Sequence, residues 1–409
     1  MMTVASMSTS IPAASLRVWL PGSLFVLFQF FLQLSSGVVI GVLMHDMVMS
    51  ALTAGLLSSS FYIVYTLLQI PVGIMFDCKN PRPLLTINAF LCSIGCIVFA
   101  SSYSLTGLFF GRTLIGIGSS FAFVGLTHLI RQHYPARQFA FLIGLSETLG
   151  FLTTVLGIIG MGSLIIIFGW RDFINTAGLI GIMIASLCWK YIPAEPNMTK
   201  SLQHYGKQLS HILTNKKLWV NGLFIGLSFA LVTVFGALWA APFIQIKLAC
   251  SLRQASLINA MFFLGTGLSC PLFGILGSYF KRRKPLILTG CLLTITLMLS
   301  VLFLPISGLV NMAVIMFMLG LCCGSYILAY AIANELAPAN SLSTCTGFIN
   351  TLALITTPLL QPLIGYLLDL FSQDGLYTLT DYQRALLVIP CSLIVAAILV
   401  CFLPEKQRS

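Results

Sequence analysis

The chain has 409 residues, of which 58% are hydrophobic and only 8% carry a charge. Soluble proteins carry charge on roughly a quarter of their residues, so this composition excludes an ordinary soluble protein and predicts a polytopic membrane protein. The net charge of +11 is consistent with basic loops that face an anionic membrane surface, and no soluble basic domain is long enough to bind nucleic acid.

Apolar segments follow one another along the chain, and each is close to the roughly 20 residues that a helix needs to cross a bilayer. The twelve predicted spans are 18–43, 51–75, 84–103, 106–130, 139–162, 173–192, 218–242, 254–279, 285–304, 309–333, 343–368 and 384–403. They predict an all-α membrane protein with an N-terminal segment (1–17), a six-helix bundle (18–192), a polar linker (193–217), a second six-helix bundle (218–403) and a tail (404–409). Residues 1–16 contain no Lys or Arg, so they do not have the basic start of a cleaved signal peptide.

The distribution of Lys and Arg among the loops predicts the orientation. If both termini are cytoplasmic, sixteen basic residues lie on that side, four lie outside and Arg112 lies within the membrane. We therefore expect a multi-pass plasma (inner) membrane protein with both termini in the cytoplasm.

The two halves carry related segments at matching positions. Gly73-Ile-Met-Phe-Asp77-Cys-Lys79-Asn-Pro-Arg82 closes span two, and Gly274-Ile-Leu-Gly-Ser278 with the basic residues 281–284 closes span eight, at an offset of 201 residues. Duplicated six-helix halves are a known transporter architecture, with the substrate site between the halves near the bilayer midplane. In the second copy Ser278 stands where Asp77 stands in the first, so the anion is lost.

These motifs resemble those of the major facilitator superfamily, and the resemblance covers nearly the whole chain. Its signature after span two is matched at Gly73, Asp77, Lys79 and Arg82, while Cys78 and Asn80 depart from the usual Arg and Gly. Arg112-Thr-Leu-Ile-Gly116-Ile-Gly118 in span four and residues 168–171 before span six resemble further family patterns. The resemblance implies two pseudo-symmetric six-helix bundles and transport by alternating access, without a cofactor.

Asp77 is predicted to belong to a gating motif formed by Gly73, Asp77, Lys79 and Arg82. Its carboxylate could be satisfied by Arg82, or by the N-terminus of span eleven, where residues 341–344 are a plausible N-cap cluster. A contact with span eleven would hold the halves together on the cytoplasmic side and would break during alternation. The alternative is an ordinary loop ion pair.

Two charged residues lie deep within predicted spans, Arg112 in span four and Glu147 in span five. The repeat pairs Glu147 with Asn350 and Arg112 with Met316, so both charges belong to the first half. The two residues differ by about eleven helical positions in level, roughly 16 Å at 1.5 Å per residue, so we expect no direct salt bridge.

Each of these charges has a functional and a structural interpretation. Arg112 is predicted to face the central cavity and to bind a substrate carboxylate or phosphate; alternatively, it bonds carbonyl groups of neighbouring spans. Glu147 is predicted to take up a proton on one side and release it on the other; alternatively, it is a permanently protonated carboxyl hydrogen-bonded between helices.

Uncharged polar residues complete the predicted substrate site. Gln29 and Gln33 stand four residues apart on one helix face, and Tyr65, Tyr330 and Asn350 lie in spans two, ten and eleven. Any one of them could instead serve an interhelical hydrogen bond.

The sequence thus favours a monomeric secondary transporter that takes up a small polar or anionic organic solute, such as an amino acid, a short peptide or an organic acid, with protons as the coupling ion. A proton-driven exporter of a small molecule or siderophore is the first alternative, although span five lacks the Gly-Pro pair common in the family's antiporters. A membrane-embedded enzyme or sensor is a further alternative, but no metal cluster, catalytic triad or phosphate-binding loop is recognisable.

Overall fold

The computed structural model describes residues 13–34, 36–194, 209–280, 282–337, 342–372 and 376–404. Among these residues, twelve helices are long and apolar enough to cross a membrane, which confirms the predicted all-α class and the number of spans. Most of the predicted N-terminal segment and linker, and nearly all of the tail, lie outside the described residues. The helices are α1 (Leu16–Asp46), α2 (Ala51–Cys78), α3 (Pro81–Ser101), α4 (Leu105–His133), α5 (Phe141–Ile165), α6 (Ile167–Tyr191), α7 (Lys216–Leu248), α8 (Leu252–Gly277), α9 (Arg283–Phe303), α10 (Leu309–Leu336), α11 (Leu342–Phe371) and α12 (Leu379–Val400).

Several helices begin where a hydroxyl side chain can accept from a free backbone N–H of the first turn. Ser50 caps α2, Ser104 caps α4, and Ser251 and Thr378 form capping boxes at α8 and α12. Because these caps need only local sequence, they position helix ends without help from the rest of the fold.

The boundary between α5 and α6 differs from the sequence prediction. Residues 163–172 were expected to form a loop, but helical structure continues from Ala136 to Tyr191 with a break only at Gly169. Gly169 has φ +81° and ψ 157°, a conformation that a side chain would strain. After the break, Arg171 lies over the rings of Tyr103 and Trp170, at 4.4 and 4.3 Å, and donates to the Ser102 carbonyl. The break between the two membrane-spanning helices α5 and α6 is therefore made at a single residue, Gly169.

Helices α2 and α11 run antiparallel and form a close contact between the two halves. Glycines stand at four levels of this pair: Gly73 faces Ser343 and Thr344, Gly347 faces Gln69, Gly55 faces Gln361 and Pro362, and Gly365 faces Ala51 and Leu52. A Cβ on any of them would meet backbone atoms of the partner helix at 3.0 Å or less. Small residues let helix backbones approach this closely in membranes, so α2 and α11 touch along their whole length.

The halves also meet at two further helix pairs. Thr148 on α5 donates to the Gly267 carbonyl of α8 at 3.3 Å, and Gly37 on α1 packs against Ala237 and Leu238 of α7. We call the end where α2 finishes and α11 begins the predicted cytoplasmic end. The end where α2 begins and α11 finishes is called the predicted outer end.

Candidate functional site

A cavity lies between the two halves. Helices α1, α2, α4 and α5 of the first half and α7, α10 and α11 of the second contribute to its wall. Its lining combines a polar face with many aromatic rings: Gln29, Phe30, Gln33, Leu34, Tyr65, Phe123, Glu147, Phe151, Phe229, Tyr326, Tyr330 and Leu354. A cavity shared by both halves can be reached from either side in turn if the halves rock against each other.

Glu147 lines this cavity and is the only acidic residue among its lining residues, none of which is Lys or Arg. Within the described chain it makes no hydrogen bond, and it lies within electrostatic range of Cys270, Tyr326 and Tyr330 of the second half. The neighbouring Ser146 points elsewhere, because its hydroxyl donates to Leu142 and meets Ser23. The carboxyl group is therefore free to meet a solute or a proton.

The predicted pair Gln29 and Gln33 lies on the cavity wall. Gln29 Nε2 donates to Gln33 Oε1, and the buried Gln29 Oε1 accepts from no described residue. Tyr62 donates to the Gln33 carbonyl at 3.4 Å from α2. The Gln29 amide oxygen is therefore a buried acceptor on a residue of the cavity wall that no described residue satisfies.

Tyr65 and Tyr330 also line the cavity, as predicted, but Asn350 lies behind it. Tyr330 donates to Asn350 Oδ1 at 3.2 Å, and Asn350 Nδ2 donates to Gln69 Oε1 at 3.1 Å. Gln69 in turn donates to the Ser120 carbonyl at 3.1 Å. Since both ends of the Asn350 amide are already bonded, this residue joins α11 to α2 and supports Tyr330, and it does not itself form part of the cavity wall.

Arg112 is not among the residues that line this cavity, contrary to the expectation from the sequence. It borders a separate cavity inside the first half, whose other lining residues are apolar: Leu32, Val39, Ile40, Phe99, Ile115, Met161 and Ile174. Its Nη1 donates to the Leu32 carbonyl at 2.8 Å, and its guanidinium lies 4.8 Å from the Phe61 ring centre. Nε and Nη2 are buried without a described partner. These contacts correspond to the structural interpretation of Arg112, in which its side chain joins α4 to α1 and α2.

The sequence predicts no salt bridge between Arg112 and Glu147, and the structure places the two residues apart. They border different cavities, and no ion pair joins them among the described residues. The repeat partner of Arg112, Met316, is fully buried in the second half.

The predicted contact between Asp77 and the start of span eleven is present. Asp77 Oδ2 accepts from Thr344 N at 3.1 Å and from Thr344 Oγ1 at 2.8 Å. Gly73, one turn earlier, lets Ser343 and Thr344 approach the α2 backbone. Ser341, part of the predicted cap cluster, lies outside the described residues.

The basic residues of the motif serve other contacts. Arg82 Nε donates to the Ile192 carbonyl at 2.6 Å, and its guanidinium lies over Trp189. Lys79 is the C-cap residue that follows α2, and its side chain is exposed. Asn80, which replaces the glycine usual in the resembled motif, accepts from Arg82 N and so caps α3. The predicted gating motif therefore makes two contacts. Asp77 joins α2 to α11, and Arg82 joins the turn that follows α2 to the end of α6.

Sequence reasoning missed the phenylalanine residues of the cavity, notably Phe123, Phe151 and Phe229. Phe30 and Phe151 meet edge to face at 5.3 Å, and Phe229 and Tyr326 do so at 5.0 Å. The chain contains 30 Phe and 12 Tyr, and no sequence signal separates those that face the cavity from those that face lipid.

Comparison with known proteins gives a consistent result. The sequence profile described as the Major Facilitator Superfamily matches residues 21–248 and 223–409. The chain is 23% identical over 388 residues to "Uncharacterized transporter YybO" of Bacillus subtilis, covering 87% of each chain. It is 22% identical over 407 residues to "Probable galactarate/D-glucarate transporter GarP" of Escherichia coli, covering 88% of this chain and 87% of that one. A bacterial homologue of the human lysosomal transporter Spinster, solved inward-facing and unoccupied, superposes with a TM-score of 0.75 at 16% identity, over 96% of this chain and 97% of that chain.

Proposed function

The chain belongs to the Major Facilitator Superfamily, and we propose that it takes up a small polar or anionic organic solute together with protons by alternating access. It is a membrane transporter and not an enzyme. The observation that carries the proposal is the position of Glu147, a single carboxyl group in a cavity that both halves build.

Glu147 suits proton-coupled uptake of an anionic solute for an electrostatic reason. An ionised Glu147 repels a solute carboxylate strongly in a cavity of low dielectric, and no lining cation offsets that repulsion. Once Glu147 is protonated, the repulsion disappears and the carboxyl group can donate a hydrogen bond to the solute. Proton and anion therefore bind together, which is the requirement for symport.

The polar wall of the cavity supports a solute that carries several hydrogen-bonding groups. Gln29, Gln33, Tyr65 and Tyr330 offer amide and phenol groups at its surface. The name of the relative GarP refers to galactarate and D-glucarate, which are dicarboxylates with hydroxyl groups. An organic acid of this kind is our preferred member of the predicted solute class, ahead of an amino acid or short peptide. This choice does not depend on Arg112, which is not among the residues that line the cavity.

The proposed location is the plasma (inner) membrane with both termini cytoplasmic. It rests on the count of basic residues, sixteen on the cytoplasmic side against four outside. In this orientation Asp77 and Thr344 meet on the cytoplasmic side of the bilayer.

The test is pH-jump uptake by the purified protein in proteoliposomes. D-glucarate and galactarate are offered beside pools of labelled amino acids, dipeptides and other organic acids. Wild type is compared with Glu147→Gln, and with Glu335→Gln as a control. Glu335 lies outside the cavity wall and pairs with Arg283 at 2.8 Å.

An inward proton gradient should drive wild-type accumulation of one solute class. Glu147→Gln should keep solute exchange but lose accumulation, whereas Glu335→Gln should accumulate normally. Normal accumulation by Glu147→Gln would refute its coupling role. Accumulation driven only by a gradient of the opposite direction would identify an exporter.

A further inference from the structure

Asp369, near the predicted outer end of α11, caps the beginning of α2. Its Oδ1 accepts from Ala51 N at 3.0 Å, and its Oδ2 accepts from Leu52 N at 2.9 Å. Tyr377, in the connection to α12, donates to Asp369 Oδ1 at 2.6 Å and accepts from Ala51 N at 2.9 Å. A carboxylate that binds free N–H groups at a helix N-terminus also interacts favourably with the helix dipole.

This contact repeats, in reverse, the contact at the opposite end of the same helix pair. Asp77 at the end of α2 binds the beginning of α11, and Asp369 towards the end of α11 binds the beginning of α2. In each helix a glycine stands four residues before the aspartate, Gly73 and Gly365, and admits the partner backbone. Each helix therefore carries both one capping carboxylate and one capped N-terminus.

We propose that Asp369 and Tyr377 form an outer latch of the transport cycle, opposite the predicted cytoplasmic gate of Asp77 and Thr344 (the cytoplasmic latch), so that one opens while the other holds. The inference rests on the proposed alternating access. Both latches are closed in this structure.

The geometry explains why the latches would oppose each other. Because α2 and α11 belong to different halves, separation at the outer end breaks the Asp369 bonds and leaves the Asp77 bonds as the pivot. Separation at the cytoplasmic end does the reverse. Each break exposes a carboxylate and free backbone N–H groups, which water can satisfy only when that end is open. The relative strength of the two latches then sets the balance between outward-open and inward-open protein.

Hydrogen exchange by mass spectrometry of the protein in nanodiscs, without solute, tests this proposal. The variants are Asp369→Asn, Asp77→Asn and, as matched control, Asp381→Asn. Asp381 is buried near the same end of the protein. It accepts from Thr378 N and Oγ1, which belong to the start of its own helix, α12, so it does not join the two halves. Outer reporters are residues 37–46 and 240–248, and cytoplasmic reporters are residues 141–148 and 267–277; none of them forms part of either latch.

Asp369→Asn should speed exchange in the outer reporters roughly tenfold, the effect of losing charge-assisted hydrogen bonds, and should leave the cytoplasmic reporters unchanged or slower. Asp77→Asn should do the opposite, and Asp381→Asn should move neither set. The proposal is overturned if Asp369→Asn changes only peptides beside residues 51 and 369, or if it speeds the cytoplasmic reporters.

A second variant keeps the test decisive should Asp369→Asn fail to fold. Tyr377→Phe keeps the carboxylate and removes only the hydroxyl that binds Asp369 and Ala51, so it should move the outer reporters in the same direction by a smaller factor. No change in the outer reporters of a folded Tyr377→Phe would count against the latch. Because no solute is present, these results do not depend on the solute class or on proton coupling, which the uptake assay tests separately.

Discussion

Arg112 and Glu147 lie in separate cavities: Arg112 borders one within the first half, and Glu147 borders the one between the halves. The charge of Glu147 is therefore not neutralised by the arginine, and a proton or a solute must meet it. Arg112 instead donates to Leu32, the residue before Gln33 on α1. The arginine thus supports a helix that forms the cavity wall.

The affinity for an anionic solute should depend on pH through Glu147. If one proton binds with the solute, affinity rises as pH falls, by up to about tenfold per pH unit over the range in which the free carboxyl is ionised. Titration of the purified protein with D-glucarate, or with the acid identified by uptake, measures this slope. Glu147→Gln should bind with nearly the same affinity at every pH, and a slope equal to that of wild type would contradict the assignment.

Replacement of Arg112 should reduce stability more than it changes solute binding. Arg112→Ala removes the donor to the Leu32 carbonyl and the group packed on Phe61. The expected cost is about 2–4 kcal/mol, from the lost hydrogen bond and an enlarged cavity. Thermal unfolding in detergent should detect it, with the exposed Arg17→Ala as control. If Arg112→Ala unfolds like wild type yet no longer binds anions, the arginine is a ligand and not a brace.

Two glycines that the repeat makes equivalent should respond oppositely to alanine. Gly347, three residues before Asn350, faces the Gln69 backbone of α2, and a Cβ there would lie 3.0 Å from the Gln69 carbonyl carbon. Gly347→Ala should therefore force α2 and α11 apart and destabilise the protein by about 1–3 kcal/mol.

The matched control is Gly144→Ala, three residues before Glu147. A Cβ at Gly144 meets nothing within 4 Å, so this change should be neutral or stabilising by up to about 1 kcal/mol. Thermal unfolding and uptake compare the two variants. If Gly347→Ala and Gly144→Ala have the same effect on stability and uptake, then the α2–α11 contact has room for a side chain at position 347, contrary to this prediction.

Loss of the Tyr330 hydroxyl should weaken solute binding while the fold is kept. Tyr330→Phe keeps the ring on the cavity wall but frees Asn350 Oδ1 from its donor. If the Tyr330 hydroxyl oxygen accepts a hydrogen bond from the solute, its removal costs about 1 kcal/mol of solute binding, so KM should rise roughly fivefold. The exposed Tyr366→Phe serves as control and should leave KM unchanged. An unchanged KM in Tyr330→Phe would place the hydroxyl outside the solute's reach.

The sequence by itself was enough to predict that the protein lies in a lipid bilayer, that it has twelve spanning helices and that its two halves are duplicated. Hydrophobic run length suffices for this, because a spanning helix satisfies its own backbone hydrogen bonds and needs no partner to be recognised. Its motifs also predicted the Asp77 contact with α11, since a carboxylate at a helix end and a cap cluster both have local signatures.

Only the tertiary structure decided which polar groups share a cavity. Span four is apolar on most faces, and a small rotation of the helix decides whether Arg112 meets the central cavity or the interior of its own half. Asp369 illustrates the same limit, because Gly365-Tyr-Leu-Leu-Asp369 repeats the spacing of Gly73 and Asp77, yet its partner begins 318 residues earlier, at Ala51. Local sequence specifies a helix and its ends, whereas the face it presents to a distant helix follows from the packing of all twelve.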